Sequence, residues 1–458
     1  MSTTSPLDRN GIAELSARFS GGLLLSGEAG YEEARRIHNG LIDRRPALIA
    51  RCLGAADIVD AVKFARSRGL EVAVRGGGHN VAGKAVCDGG LMLDLSRMKG
   101  IHVDPERRTV RAQTGVTWRE FNRATQLHGL ACTGGVISTT GIAGLTLGGG
   151  LGWLMGKHGL ALDNLVSAEV VTAAGEVVRG SEKENADLFW ALRGAGANFG
   201  VASWLEYRLH PVGPVTSGLV AHPFAQAREV WRFFRETTTS LPDEMSTFGA
   251  LLHAPDGSGT KLAAMIACHA GALADGETAL RPIKRFGSPV LDVIQPSTYE
   301  ATNTMLDDGF PAGALNYWKS SFLSELSDAA IDTMIARFAS CPSPMSSLLV
   351  EHVHGAMTRV GATETAFPHR REGYNFLIVS EWIDAAETAR NVAWARETYD
   401  AMQPYYASGR YVNYLEKDEA GDAVRAAYGP NYDRLRALKA TYDPTNLFHL
   451  NQNIPPAP

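Results

Sequence analysis

A chain of 458 residues is too long for one simple core, so two or three domains are expected, and 45% apolar with 20% charged residues suits a globular protein. A formal net charge of −5 leaves no basic face and argues against nucleic acid or an acidic membrane surface as partner. No apolar run approaches roughly 18 residues, the N-terminus lacks the basic-then-apolar order of a signal peptide, and five scattered cysteines suit a reducing cytoplasm better than a disulfide framework.

Residues 1–50 read as an arm, a helical stretch and a polar connection. From Asp57 the residues Ile58, Val59, Val62 and Phe64 recur at helical spacing up to Gly69. The strand Glu71–Val74 then runs into Arg75-Gly76-Gly77-Gly78-His79-Asn80, followed by a second strand, Gly90–Leu95. Consecutive glycines let main chain approach a ligand closely, and successive N–H groups in such a turn form a nest for an anion. Arg75 would add a fixed charge at its edge and His79 a nucleophilic imidazole, although the hexapeptide alone suits a tight turn with a surface histidine equally well. Two short strands, Ile101–Val103 and Thr109–Thr114, precede a capping box at Thr117 to Glu120 that opens a helix to about His128.

The segment 129–152, GLACTGGVISTTGIAGLTLGGGLG, is rich in Gly, Thr and Ser and almost free of charge. Ordering it as a plain surface loop would cost entropy for little burial, so it is expected to lie against a large flat ligand. A hairpin (Val166–Thr172, Glu176–Arg179), a second capping box at Ser181 to Glu184 and an alternating strand from Val201 to Leu209 lead to a boundary at Pro211-Val212-Gly213-Pro214. Residues 215–405 alternate amphipathic helices with strands of alternating polarity, the pattern of an antiparallel sheet covered on one face by helices. Its other face would roof a site. One helix, Asp422–Ala440, precedes a closing segment that includes Asn451 and Asn453.

Two near-matches fail on context. Gly78-x4-Gly83-Lys84 is followed by Ala85 where a phosphate loop needs Ser or Thr, and Gly194-x-Gly196-x3-Gly200 lies before a strand where a dinucleotide fingerprint needs a helix. His352 and His354 would share one face of a strand, with Glu351 on the other, as a metal pair, as lining of a substrate cavity, or as structural residues.

Taken together, RGGGHN (75–80), GLMLDLSRM (90–98), the 134–152 loop, HGLALDN (158–164), LFWALRGAGANFGV (188–201), FPHR (367–370), YVNY (411–414) and the closing YDPTNLF…NQNIPP resemble the flavin-linked oxidases of the vanillyl-alcohol-oxidase type, and within them the berberine-bridge-enzyme subgroup. The resemblance implies an α+β fold: a two-lobed PCMH-type FAD-binding domain over 1–213, an inserted antiparallel-sheet-plus-helices substrate domain over 214–405, and a segment 406–458 returning to the FAD domain. It places the covalent 8α link to FAD on His79, and further cofactor contacts on Arg75, Gly76, Gly77, Gly78, Asn80, Gly134, Gly135, Thr139, Thr140, Gly141, Gly144, Leu145, Gly200, Val201, Asn451 and Asn453. Many relatives carry a second link through a cysteine where this chain has Ile137, and Cys132 is out of register, so a single link is expected. Tethering is expected to raise the flavin potential. Thr140 stands where a small residue admits oxygen, which favours oxidase over dehydrogenase.

The implied reaction is hydride transfer from a small amine or alcohol to FAD, with O2 forming H2O2. A dehydrogenase using another acceptor, and more distantly a metal enzyme built on His352 and His354, are the alternatives. Tyr411 and Tyr414 occupy the positions of the family's catalytic tyrosines, with Asn413 between them, although either tyrosine suits a core place equally well, and Asn164 matches an active-site asparagine of a bacterial member. Leu151 replaces a tyrosine found in some relatives, which weakens alcohol or sugar oxidation against amine oxidation. His352, His354 and Asn375 are expected to face substrate. A homo-oligomer is compatible with all of this.

Overall fold

The computed structural model describes residues 7–419 and 421–458. Helix Ala55–Arg68 buries Ile58, Ala61, Val62, Phe64 and Ala65 along one face and stops at Gly69, whose φ of 62° suits a residue without a Cβ. It is the crossover that lets Leu48–Arg51 and Val72–Arg75 both run parallel to Leu91–Asp94, with Gly22–Leu24 completing a four-stranded sheet. The strands Gly22–Leu24 and Leu48–Arg51 lie in the region read from sequence as arm and connection; both are too short for a periodicity to show. Val72–Arg75 ends where the triple glycine begins, so the sheet itself delivers the turn.

The second lobe is a five-stranded antiparallel sheet in the order Ile101–Asp104, Thr109–Gln113, Val201–Arg208, Leu165–Val171, Val177–Ser181. The capping box forms as expected: the Glu120 carboxylate accepts from the Thr117 N–H at 2.8 Å, and helix Trp118–Gln126 buries Trp118 and Phe121. The second one does not start a helix. Ser181 Oγ accepts from Glu184 N–H at 3.1 Å to close a turn, and the helix begins only at Ala186, after Asn185 at φ 46°. The chain has to reverse sharply at the end of strand Val177–Ser181, which a tight turn does and a helical first turn does not.

An eight-stranded antiparallel sheet follows, with Val215–Pro223, Lys261–His269, Met245–His253, Ser347–Val353, Gly373–Trp382 and Leu315–Leu323 as successive long neighbours. Helices Ala227–Thr238, Asp328–Ala339 and Thr388–Met402 cover one face through Trp231, Phe234, Met334, Phe338, Trp394 and Met402. The opposite face packs Phe248, Ile266, Phe322 and Val353 on Leu151, Trp153, Leu154 and Met155 of the first half. Along Ser347–Val353 the period-two alternation sends Leu348 and Val350 to the helices, and Leu349, Glu351 and Val353 toward the first half.

The C-terminal helix read over 422–440 is two helices, Asp422–Tyr428 and Tyr432–Tyr442, because Gly429 turns at φ 48° and Pro430 has no N–H to continue the ladder. The chain then returns to the first lobe. Lys439, fully buried, donates to Asp443, to Asn198 O at 2.6 Å and to Phe448 O at 2.9 Å, while Lys84 Nζ donates to Gln452 Oε1 at 2.8 Å.

Candidate active site

The two glycine segments form facing walls of one cleft of about 1340 Å³, open to solvent at its mouth. A Cβ on Gly77 would stand 2.3 Å from Gly141 N, and one on Gly141 would stand 2.5 Å from Gly77 N, so the walls meet backbone to backbone. No Lys, Arg, Asp or Glu lines the cleft among the described residues. None of the N–H groups from Gly76 to Asn80 has an acceptor within the described chain. Five consecutive unengaged donors in an uncharged cleft have the form of a nest that accepts an anion.

His79 stands in the wall with its ring stacked on His38, centroids 3.9 Å apart and planes 20° from parallel. Its Nε2 lies 2.9 Å from Thr139 Oγ1 and its Nδ1 3.4 Å from Thr140 Oγ1. Removal from water, and then the second imidazole, hold the His79 pKa down to about 3, so the ring is neutral and keeps a lone pair. Gly76, Gly77, Gly78, Asn80, Gly135, Thr140, Gly141, Gly144, Leu145, Gly200 and Val201 all line the same cleft.

Other expected contacts fall elsewhere. Arg75 does not reach the nest: its guanidinium donates to Ala34 O and Arg36 O at 2.6 and 3.0 Å and lies 3.5 Å from Asp94, fixing the preceding loop instead. Gly134 sits behind the wall, where a Cβ would strike the Trp118 ring, and Thr139 meets His79 rather than the cleft lining. The Asn451 side chain donates to Ala197 O and Phe448 O at 2.9 and 2.8 Å, and neither it nor Asn453 lines the cleft. Cys132 is fully buried in the core and burial pushes its thiol pKa up, whereas Ile137 does line the cleft.

The opposite wall carries Tyr411, Asn413 and Tyr414 with Trp318 and Phe310. The Tyr411 hydroxyl accepts from Gly150 N–H at 2.9 Å and from Asn413 Nδ2 at 3.0 Å, and the same amide group donates to Leu145 O at 3.0 Å. Asn413 and Tyr411 thereby seat the wall on the second glycine segment, where Cβ atoms on Gly148 and Gly149 would collide with them at 2.1 and 2.7 Å. Tyr414 packs edge-on against Tyr411 (4.8 Å, 87°) and Trp318 (5.9 Å, 71°). Its hydroxyl donates to Glu351 Oε1 at 3.2 Å, and Asn375 Nδ2 donates to Glu351 Oε2 at 2.5 Å.

Glu351 is the group that the sequence reading passed over. It is 2% exposed, and burial lifts its carboxyl pKa to about 7 against the two hydrogen bonds that lower it. His352 and His354 do not line the cleft: they stack on each other (4.5 Å, 13°) beside a separate depression with Thr238, Asp243 and Tyr374. Among the described residues no three His, Cys, Asp or Glu side chains gather as a metal site. Asn375 is brought to Glu351. Asn164 does not line the cleft: its amide donates to His158 O and Leu160 O, both at 2.9 Å, and its oxygen lies 2.6 Å from His210 Nε2, so its polar atoms are engaged by its own loop and neighbour. The signal for Glu351 was present as a lone carboxylate in an apolar strand, and Tyr414 three residues from Tyr411 in YVNY was its partner.

Residues 46–181 match the FAD binding domain family, and residues 410–455 match the berberine and berberine-like family. An FAD-linked oxidoreductase of Dictyostelium discoideum is 31% identical over 415 residues, 90% of this chain and 89% of the relative. The (R)-6-hydroxynicotine oxidase of Paenarthrobacter nicotinovorans is 30% identical over 457 residues, 96% of this chain and 97% of the relative. The chain belongs to the berberine-bridge-like FAD-linked oxidoreductases. The crystal structure of 6-hydroxy-D-nicotine oxidase from Arthrobacter nicotinovorans superimposes with a TM-score of 0.88 at 29% identity, covering 96% of this chain and 98% of that one, so the FAD-binding fold with its inserted sheet-and-helix domain is shared throughout. FAD is the cofactor that the family implies, and the cleft fits it: bare main chain along both walls, free donors for a pyrophosphate, and a neutral imidazole beside them. No helix among the described residues is long and apolar enough to cross a membrane.

Proposed function

We propose that the protein is an oxidase whose His79 would carry FAD through a single link and whose cleft presents to it a substrate carbon bearing an N–H or O–H group for hydride removal. The observation that carries this reading is the hydrogen bond from Tyr414, which lines the same cleft as His79, to the buried Glu351 behind it. When bound, FAD supplies a two-electron acceptor for hydride, which dioxygen reoxidises with release of hydrogen peroxide. The chain's own residues supply the rest. The unengaged N–H groups of Gly76 to Asn80 would hold the cofactor's pyrophosphate, with the backbone of Gly141, Gly144 and Gly200 lining the same cleft. Ile137 at the cleft and Cys132 in the core leave no thiol for a second link.

Tyr414 takes the proton from the substrate heteroatom and passes its own to Glu351, whose pKa near 7 matches the task. Asn375 keeps the carboxylate oriented, and Tyr411 with Asn413 holds the wall in place. A built-in base restores alcohols beside amines as substrates, despite Leu151 in place of a tyrosine. Phe310, Trp318 and Tyr414 line the remaining space with aromatic rings, which suits a small, flat organic substrate. We take residues 214–405 as the substrate cap and 406–458 as the return to the FAD lobe.

The purified protein is expected to be yellow, with flavin retained on acid precipitation and located on the His79 peptide by mass spectrometry. A panel of aryl amines and alcohols screened for peroxide release tests the reaction. A turned-over substrate that yields no peroxide but reduces an artificial dye would make the enzyme a dehydrogenase.

A further inference from the structure

We propose that residues 307–313 form a strap between the two walls of the cleft, and that Phe310 at its middle limits the breadth of the substrate that reaches Tyr414; this rests on the reading above that the cleft holds FAD and substrate. The segment leaves the cap after helix Tyr299–Thr304 and rejoins it at strand Leu315–Leu323. On the way it is fastened to both walls. At one end the Asp307 carboxylate accepts from Ser138 N–H at 2.8 Å and from Ser138 Oγ at 2.6 Å, on the second glycine segment, and from Arg119 Nη2 at 2.8 Å. At the other end Gly313 N–H donates to His38 O at 2.9 Å, and the Asn39 side chain both accepts from Asn316 N–H and donates to Asn316 O at 2.9 Å. His38 and Asn39 in turn belong to the first wall, since His38 N–H donates to Gly78 O at 3.0 Å and Asn39 Nδ2 to Val81 O at 2.8 Å.

Between these anchors Asp308, Gly309, Pro311 and Ala312 are exposed, while Phe310 is half-buried and lines the cleft. Its ring meets Trp318 edge-on (5.9 Å, 72°), and Trp318 meets Tyr414 in the same way (5.9 Å, 71°). Trp318 is held by its indole N–H, which donates to Asn316 Oδ1 at 3.0 Å. An unbroken row of rings thus runs from the strap to the residue assigned the substrate proton. A segment this short and fastened at both ends has little slack, and swinging it outward would break the bonds to Asp307, which are stronger than neutral ones because one partner is charged. The room beside Tyr414 is therefore set before any ligand enters. A fixed wall discriminates by what it excludes, so an aryl substrate with a single narrow ring is favoured over a broader one.

The test compares a pair of neutral probes with the same reacting carbon: benzyl alcohol, and the broader benzyl alcohol that carries methoxy groups at both meta positions. Flavin-loaded full-length protein is titrated with each, oxygen excluded, and the dissociation constant is read from the change in flavin absorbance. We expect the wild type to bind the broad probe about tenfold more weakly than the narrow one, Phe310→Ala to bring the two within about twofold, and Asp307→Ala, which frees one end of the strap, to leave a difference of about threefold. Phe310→Tyr, which keeps the ring, should retain the wild-type preference, whereas a merely structural role would weaken both probes alike. If Phe310→Ala does not fold, Phe310→Val replaces it. The same ratio of constants in the wild type, the Phe310 variant and Asp307→Ala would overturn the strap's role. Protein that holds no flavin, or whose flavin responds to neither probe in any variant, would instead overturn the reading of the cleft beneath it.

Discussion

Burial lifts the Glu351 carboxyl from its ordinary 4.5 to about 7, and this has one consequence for activity and another for stability. As the base, Glu351 has to be ionised, so kcat/KM is expected to rise with pH and level off above about 7, and Glu351→Gln should lower it by about 10²- to 10⁴-fold. The stability effect has the opposite sign. Between its unfolded pKa and about 7 the folded state holds a proton that the unfolded state has released, so stability falls as pH rises through that window. Glu351→Gln keeps the Asn375 and Tyr414 contacts without the charge. Its gain over wild type, read by denaturant melts, should be near zero at about pH 4.5 and reach about 3 kcal/mol at about pH 8. A flat difference across pH would show that the carboxyl is not buried as described.

At the scale of single elements, the two glycine segments are pinned by mutual contact. Gly77→Ala would drive a methyl into the backbone of Gly141 at 2.3 Å, and neither wall has a flexible side chain that can yield. The expected outcome is protein with flavin content reduced about tenfold or more, measured by absorbance ratio after denaturation. The FPHR segment, picked out by resemblance, turns out to be a clamp. Arg370 forms a two-pronged bond to Asp163 at 2.7 and 2.8 Å with side-chain exposures of only 3% and 11%, and Asp163 also accepts from Leu160 N–H at 2.8 Å. Removing one partner strands a buried charge, so Arg370→Ala should cost about 3–5 kcal/mol. Thr117→Ala, which removes only a partly buried cap, should cost about 1 kcal/mol, and the ratio of the two by chemical denaturation tests the burial argument.

For the molecule as a whole, the cleft lies between lobes that the flavin would bridge, and a bound cofactor stabilises the folded state by mass action. A tethered one does so without dependence on free concentration. The melting temperature of wild-type protein is therefore expected to be indifferent to added FAD, whereas that of His79→Ala should rise with each increment of it. The returning tail belongs to the same assembly, because the buried Lys439 donates to Asn198 O and Lys84, just after the first glycine segment, donates to Gln452.

The amino-acid order by itself determined the helix 55–68, the alternation of the cap strands, the glycine cleft and the histidine within it. Each of these is a local matter of periodicity or backbone freedom, written in neighbouring residues. Which face of strand Ser347–Val353 turns toward Tyr414 was not local: period two supplies two faces, and only packing of the helices on Leu348 and Val350 sent Glu351 to the first half's side and His352 to the helix side. The same holds for Arg75 and Asn164, whose polar groups found partners far along the chain or around a loop before any ligand was involved. The residue types of the site were visible in the sequence, but tertiary structure decided which of them reach the cleft, because a side chain's direction depends on what covers its neighbours.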